Sequence, residues 1–319
     1  MICEYPYFFE VDSIYKKDET TLDKLLKYIE FLTDYTKSIE GRYVVLGKEK
    51  EGVESIDYVQ KVIEDISTLN IEHEKFVFEF IKLKLWYIEI LNKVIGENTH
   101  IITEARVSFL KSIIDESLNE NNQELILKNI ETAALMFNAV KIYRYMLNKL
   151  NQDDYNLHDI EISIKDLIEN KFWIPESRCM KENLDEQLVK TNISMIYTLS
   201  LSYPCIVGEN SIKLLDTIFK ELYTPYGLRK MKKNTLGSNG MIYPKYLAHF
   251  IKANLRQNGV TTASKKIAYN LVKELIVDIN KNVNGGVPKV YNERGIRIDN
   301  IAYDLLTNAE VIRLYDMLT

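Results

Sequence analysis

Three loop sequences decide the fold: Tyr223-Thr-Pro-Tyr-Gly-Leu-Arg229, Gly237-Ser-Asn-Gly-Met-Ile-Tyr-Pro244 and Gly285-Gly-Val-Pro-Lys-Val-Tyr-Asn-Glu-Arg-Gly295. Pro and Gly recur in them, and these residues interrupt helices and form turns. Such residues are scarce elsewhere, since the 319-residue chain has only 12 Gly and 6 Pro. We therefore expect the rest of the chain to be a helical scaffold that carries these loops.

Outside the loops, apolar residues recur at steps of three and four, which is the period of an amphipathic helix. A β-branched run at residues 43–46 is the one short strand signal. Helices joined by alternately short and long loops favour antiparallel hairpins packed side by side. The pattern predicts one all-α domain over residues 1–319, with an α/α toroid as its architecture. The predicted helices span residues 7–15, 20–39, 56–66, 73–94, 101–118, 124–150, 160–170, 191–201, 210–223, 243–256, 262–282 and 301–318.

The composition argues against several classes of function. A net charge of −5 with mixed acidic and basic residues offers no basic stripe, so neither nucleic acid nor anionic lipid is an expected partner. No apolar run is long enough to span a membrane, and no export signal opens the chain, which predicts a cytoplasmic protein. Cys3, Cys179 and Cys205 lack disulfide or metal spacing, and no phosphate-binding loop occurs, so no metal or cofactor is expected.

The loop sequences resemble the glucosidase domain of glycogen debranching enzymes. Residues 222–229 are similar to that family's Leu-Leu-Thr-Pro-Tyr-Gly-Leu-Arg segment, residues 237–244 to Tyr-His-Asn-Gly-Thr-Val-Trp-Pro, and residues 285–289 to Gly-Gly-Leu-Pro-Glu. The resemblance implies an (α/α)6 toroid that removes α-1,6-linked glucose from the branch points of an α-glucan. It therefore implies an α-glucan or oligosaccharide as the ligand.

Weaker similarity extends upstream, at residues 4–9, 85–87 and 199–204. Aligned in this way, the chain covers most of a toroid but begins after about its first hairpin. A toroid without that hairpin would expose apolar helix faces, which favours a homodimer.

The resemblance also implies where the catalytic groups would lie. Glycoside hydrolysis uses two carboxyl groups, one that protonates the leaving oxygen and one that activates water. The family's base corresponds to Lys289, which stays charged at neutral pH and cannot accept a proton. The nearest match to the family's acid is Asp57, and a solvated aspartate at a helix start is the alternative interpretation. Glu293, four residues after Lys289, is a weaker candidate for a replacement base.

Several sugar-binding positions also depart from the family pattern. Ser238 stands where the family has His, and Tyr243 where it has Trp, so part of the implied polar and aromatic ring is changed. The turn-forming Pro and Gly residues are retained. The substrate-binding positions implied by the resemblance are Glu4, Tyr226, Arg229, Ser238, Asn239 and Tyr243.

Two functions remain open from the sequence. The first is a divergent debranching-type α-glucosidase with Asp57 as the acid. The second is a catalytically silent relative that keeps the toroid for binding a glycan or a protein. Two carboxyl groups facing each other across the central pocket would favour the enzyme, and Lys289 predicts that such a pair is absent.

Overall fold

The computed structural model describes residues 19–69, 71–96, 98–154, 156–187, 189–233, 235, 238–281, 286–298 and 304–319. The predicted helix at 7–15 and the predicted binding residue Glu4 lie outside these ranges. The described residues are predominantly helical, and none of their helices is both long and apolar enough to cross a bilayer. The helices are α1 (Glu19–Ile39), α2 (Glu49–Ser67), α3 (Glu74–Ile95), α4 (Glu104–Ser117), α5 (Gln123–Leu127), α6 (Ile130–Lys149), α7 (Leu157–Leu167), α8 (Tyr197–Ser200), α9 (Gly208–Glu221), α10 (Leu247–Asn258), α11 (Thr262–Lys281) and α12 (Leu305–Leu318).

Six of these helices form a closed inner ring. Around it, α1 packs on α3, α3 on α6, α6 on α8, α8 on α10, α10 on α12, and α12 on α1. Five helices pack outside, with α2 against α1 and α3, α4 against α3 and α6, α7 against α6, α9 against α10, and α11 against α10 and α12. This is the predicted (α/α)6 toroid. Since α12 contacts α1, the described residues leave no gap in the inner ring.

Burial separates the two layers in the way that their sequences predict. From Phe80 to Leu91 in the inner helix α3, all but one residue is buried, because neighbours surround it on all sides. The outer helix α11 buries a single stripe, Ser264, Ala268, Val272 and Leu275, spaced by three and four residues. A helix that is apolar on every side belongs inside, and an amphipathic one lies between core and solvent.

Two sequence-based expectations about local structure were wrong. The predicted continuous helix at 124–150 is interrupted before α6, because the side chain of Asn129 accepts hydrogen bonds from the backbone of Glu131 and Thr132 and caps a new helix. The predicted strand at 43–46 overlaps a π-helical turn, Glu40–Val44, that continues α1.

The quoted loops build a small antiparallel sheet beside the ring. It consists of β3 (Tyr223–Thr224), β4 (Gly227–Arg229) and β5 (Ile242–Tyr243), and a separate pair joins β1 (Trp173–Ile174) to β2 (Cys179–Met180). Gly227 is required in β4, since a Cβ there would lie 2.6 Å from the Tyr243 carbonyl group. The glycine lets two strands approach beside the toroid opening.

Candidate active site

The inner helices surround a pocket of about 380 Å³ at one end of the ring. The residues that reach it come from α1, α3, the start of α6, the start of α8 and the turn before α10. One or two turns further along α1, α3, α8 and α10, residues of the same helices reach a smaller buried cavity. These helices therefore enter the ring with the same polarity, and the N-terminal ends of α6 and α8 face the pocket, where helix dipoles favour negative charge.

Charged side chains dominate the pocket wall. Carboxyl groups come from Glu30 and Asp34 on α1, Glu79 on α3, Glu131 on α6 and Glu182 in the loop after β2. Four lysines accompany them, and several of these cations pair with the carboxylates. The lysines that line the pocket are Lys37, Lys82, Lys230 and Lys245.

Glu131 is the carboxylate most strongly held. It is the second residue of α6, and the Trp86 indole donates a hydrogen bond of 3.1 Å from Nε1 to its Oε1. The Nζ of Lys37 lies 3.8 Å from the same oxygen. Burial favours the neutral acid, but the charges of Lys82 and Lys37 and the indole hydrogen bond together outweigh it and lower the pKa of Glu131. Glu131 is thus ionised.

Glu182 lies beside the start of α6 although it is far away in the sequence. Its backbone carbonyl accepts a hydrogen bond of 2.9 Å from the N–H of Ile130, the residue before Glu131. Next to it, Asn129 Nδ2 donates to Asn183 Oδ1 at 3.1 Å. Burial, and then the nearby Glu186 carboxylate, raise the pKa of Glu182. The pocket thus brings together one carboxyl group whose pKa is lowered and another whose pKa is raised.

Lys37 lies on the floor of the pocket among aromatic rings. Its Nζ is 3.9 Å from the centroid of the Trp86 ring and 5.3 Å from that of Tyr197. Burial lowers the pKa of Lys37 to about 8, although the Glu131 charge acts in the opposite direction. The cation is stabilised by the rings and by Glu131, while its removal from water opposes its charge.

A buried ion-pair cluster lies deeper in the ring. Arg313 on α12 contacts Glu310 at 2.5 Å and Glu40 at 3.4 Å, and its own side chain is only 6% exposed. Burial would raise the pKa of Glu40, but the charges of Arg313, Lys93 and Lys252 together lower it to about 2. The cluster links the π-helical turn after α1 to α12 and so joins the two ends of the ring.

Ser238 and Asn239 are the two predicted binding residues that line the pocket. Tyr243 is close to them, since Asn239 Nδ2 lies 3.5 Å from its hydroxyl oxygen and its ring meets the Tyr246 ring edge-on with centroids 6.2 Å apart. Lys230 at the pocket edge places its Nζ 5.0 Å from the centroid of the Tyr243 ring. Tyr243 therefore contacts the pocket wall without itself lining the cavity.

Tyr226 and Arg229 are outside the residues that line the pocket. The Tyr226 ring packs on that of Tyr291 with centroids 5.1 Å apart, and a Cβ on Gly295 would lie 2.5 Å from it. Tyr226 thereby fixes the loop that contains Gly295. Arg229 lies in β4, and its Nε is buried without a hydrogen-bond partner among the described residues.

The predicted catalytic residues also lie outside the pocket lining. Asp57 is on the outer helix α2, is 51% exposed and forms an ion pair of 2.5 Å with Arg106 on α4. Lys289 lies in the loop before α12. Glu293, in the same loop, is half exposed and is paired at 3.4 Å with Lys233. Asp57 is kept from the pocket because its helix belongs to the outer layer.

Five carboxyl side chains line the pocket, whereas the sequence predicted that no two carboxyl groups would face each other across it. Sequence reasoning missed Glu131 and Glu182 in particular. A signal for Glu131 was present, since Asn129 followed by an apolar-periodic run marks a helix start, where an acidic residue is favoured. No local pattern distinguishes Glu182, whose position depends on contacts with a segment about fifty residues earlier.

Residues 126–237, about a third of the chain, match the family model described as amylo-alpha-1,6-glucosidase. This range includes Glu131, Glu182 and the segment at 222–229, and the match confirms the resemblance inferred from the loops. No curated protein sequence matches the chain.

Among solved structures, one titled as a wild-type glycosidase is similar with a TM-score of 0.65 and 10% identity, covering 90% of this chain and 87% of that one. Another, a glycosidase variant in complex with glucose, has a TM-score of 0.63 and 11% identity, with the same coverage of each chain. At sequence identities this low, the structural similarity shows a shared fold alone.

Proposed function

We propose that the chain hydrolyses a glycosidic bond in its central pocket, because residues 126–237 match the amylo-alpha-1,6-glucosidase family model and 90% of the chain is covered by the fold of a solved glycosidase. The proposed substrate is an α-glucan with an α-1,6-linked glucose at a trimmed branch point, as the family match suggests. The protein is in this view a divergent debranching-type α-glucosidase.

The observation that carries this proposal is the set of five carboxyl side chains around one pocket of about 380 Å³. Two carboxyl groups are the minimum for glycoside hydrolysis by acid and base, and the pocket has the volume expected for a small ligand. The rings of Tyr197 and Tyr246 line the same space and offer apolar faces of the kind that pack on sugar rings.

A direct assay tests the proposal. Purified protein is incubated with a phosphorylase limit dextrin, and released glucose is measured. We expect glucose from the limit dextrin and none from a linear α-1,4-linked glucan of similar length. Release from the linear glucan alone would contradict the α-1,6 assignment, and absence of release from both would contradict hydrolysis.

A catalytically silent glycan-binding module is the second candidate. Two points favour it: the resemblance aligns Lys289 with the family's base, and lysines pair with pocket carboxylates, as Lys82 does with Glu79 at 3.1 Å. Calorimetric titration with limit dextrin separates the two functions. Binding without glucose release, abolished by a bulky substitution such as Ser238→Trp at the pocket wall, would favour the silent module.

The cytoplasmic location and the homodimer remain predictions. Solution mass from sedimentation equilibrium tests the homodimer directly. Since the described residues close the inner ring, we expect any dimer contact to involve the outer layer.

A further inference from the structure

We infer that Glu131 and Glu182 form the catalytic pair of this pocket, with Glu131 as the base that activates water and Glu182 as the acid that protonates the leaving oxygen. The inference rests on the proposed hydrolase function. It assigns the chemistry to positions other than Asp57 and Lys289, which the resemblance implied. Its basis is the convergence of two carboxyl groups with opposite surroundings on one pocket.

The backbone brings the two residues together. The loop at 182–184 runs alongside the segment that opens α6, because Ile130 donates to the Glu182 carbonyl at 2.9 Å and Leu184 donates to the Lys128 carbonyl at 2.9 Å. Glu182 and Glu131 therefore belong to adjacent backbone segments, and both side chains line the pocket. Asn129 and Asn183 are paired in the same antiparallel bridge, and Asn129 Nδ2 donates a hydrogen bond to Asn183 Oδ1.

The surroundings of Glu131 keep it ionised. It lies in the first turn of α6, where the helix dipole favours an anion. Its Oε1 also accepts the indole hydrogen bond of Trp86 and lies 3.8 Å from Lys37 Nζ. A carboxylate that is ionised and fixed in orientation suits a group that takes a proton from water.

The surroundings of Glu182 favour the neutral acid. Its strongest neighbour is a second carboxylate, Glu186, whose Oε2 accepts a hydrogen bond of 3.0 Å from the Glu182 backbone N–H. The only side-chain donor described at Glu182 is the hydroxyl of Ser194, at 3.5 Å. Burial and the like charges of Glu186 and Glu131 raise the pKa of Glu182, although the Ser194 hydrogen bond and the Lys230 charge act in the opposite direction. Pairs of carboxyl groups whose environments separate their pKa values in this way divide the acid and base roles.

Two other carboxyl groups of the pocket suit the acid role less well. Asp34 lies 3.8 Å from Lys245 Nζ, and Glu79 lies 3.1 Å from Lys82 Nζ. Both side chains are therefore engaged in ion pairs with lysines of the pocket wall.

The reaction consumes one water molecule and no other reactant. The bond between the anomeric carbon and the bridging oxygen breaks, and that oxygen takes the proton of Glu182. The water oxygen forms a bond to the anomeric carbon and gives one proton to Glu131. Glu182 leaves this step ionised and Glu131 leaves it protonated, and exchange with solvent restores both. The products are free glucose and the unbranched chain.

The test compares Glu131→Gln and Glu182→Gln with Asp57→Asn, using glucose release from limit dextrin and calorimetric binding. We expect each Gln variant to lose roughly 10²–10⁴-fold in kcat, which is the usual contribution of a general acid or base. Limit dextrin should still bind within about threefold, which would also show that each variant is folded. Asp57→Asn should retain wild-type activity, because Asp57 lies on the outer layer.

A second substrate separates the acid from a structural role. An aryl α-glucoside with a nitrophenolate leaving group needs little protonation, so Glu182→Gln should hydrolyse it at close to the wild-type rate while Glu131→Gln should not. Loss of both activities in Glu182→Gln, or full limit-dextrin activity in either Gln variant, would overturn the assignment and leave the proposed function intact. An inactive wild-type protein would overturn the assignment and hydrolysis together, and retained glycan binding would then identify the silent module.

Discussion

The Trp86 indole Nε1 donates a hydrogen bond of 3.1 Å to Glu131 Oε1. This contact joins the middle of α3 to the first turn of α6 and orients the carboxylate toward the pocket. A hydrogen bond to a charged group contributes about 1.5–3 kcal/mol. The anion of Glu131 should therefore depend on the indole as well as on the neighbouring lysines.

Trp86→Phe keeps an aromatic ring and removes the donor. We expect the pKa of Glu131 to rise, because a hydrogen bond that favours its anion is lost. The acidic limb of the pH profile of kcat for glucose release should shift upward with it. Trp173→Phe is the matched control, since Trp173 is also buried but lies in β1, and its profile should keep the wild-type limb. An unshifted limb in Trp86→Phe would contradict the role of the indole.

The helical scaffold was predictable from sequence because its signals are local. Apolar residues at steps of three and four predicted α1, α3 and α11 to within a few residues of their ends. The error at 124–150 came from reading apolar periodicity through Asn129, whose capping role opens a new helix. The (α/α)6 ring followed from hairpin packing and from the loop motifs together.

The site was less predictable because it is assembled from distant segments. Ser238 and Asn239 were found because they lie in a loop with a distinctive pattern. Glu131 follows a helix-start signal, but no local pattern distinguishes Glu182, and backbone hydrogen bonds of the loop at 182–184 bring the two residues together. Asp57 matched a motif by spacing alone, and spacing does not tell an inner helix from an outer one.

Removing the Arg313 cation from its buried cluster should lower the free energy of unfolding by a large amount. Arg313→Met leaves Glu40 and Glu310 close together, buried and without their main counter-charge. Breaking a buried ion pair from one side typically costs about 3–5 kcal/mol. We expect the free energy of unfolding at pH 7, measured by urea denaturation, to fall by that amount.

Two control variants help to interpret the loss of stability in Arg313→Met. Lys220→Met breaks an exposed pair with Asp216 and should cost less than about 1 kcal/mol. The double variant Arg313→Met with Glu310→Gln should recover part of the loss, because one unpaired carboxylate is removed. A loss in Arg313→Met no larger than that in Lys220→Met would show that the cluster does not stabilise the closure of the ring.

Because burial lowers the pKa of Lys37, we expect the protein to become more stable at alkaline pH. Its pKa is about 8 in the folded protein, against an ordinary value of 10.5. Between these values the folded protein has released a proton that the unfolded chain still holds, so stability rises with pH across this window. Below pH 8 both states are protonated and the burial cost, about 3 kcal/mol at 1.4 kcal/mol per unit, is present in full.

The measurement is the difference in free energy of unfolding between the wild type and Lys37→Met at several pH values. The free energy of unfolding of the wild type should rise by about 3 kcal/mol relative to that of Lys37→Met as pH increases from 8 to 10.5. Between pH 6 and 7.5 the difference between the two proteins should be constant. A difference that does not change from pH 8 to 10.5 would contradict a depressed pKa for Lys37.

The position of Gly41, where the ring closes, has no room for a larger side chain. It lies in the π-helical turn after α1, and a Cβ at this position would lie 2.0 Å from the backbone carbonyl oxygen of Ala309 on α12. Because the obstacle is backbone, Gly41→Ala must separate α1 from α12. Forced overpacking costs typically 1–3 kcal/mol and occasionally more, so we expect a loss of at least about 2 kcal/mol in urea denaturation.

Gly52→Ala provides the matched control for that substitution. Gly52 is also buried and helical, but the nearest atoms to a Cβ there are side-chain carbons at 3.5 Å or more. Alanine is a better helix former than glycine by about 0.5–1 kcal/mol, so this variant should be as stable as the wild type or more so. If Gly41→Ala lowers the free energy of unfolding and Gly52→Ala does not, the loss of stability arises at the contact between α1 and α12. If Gly41→Ala were as stable as Gly52→Ala, the close approach of these two helices would not hold in solution.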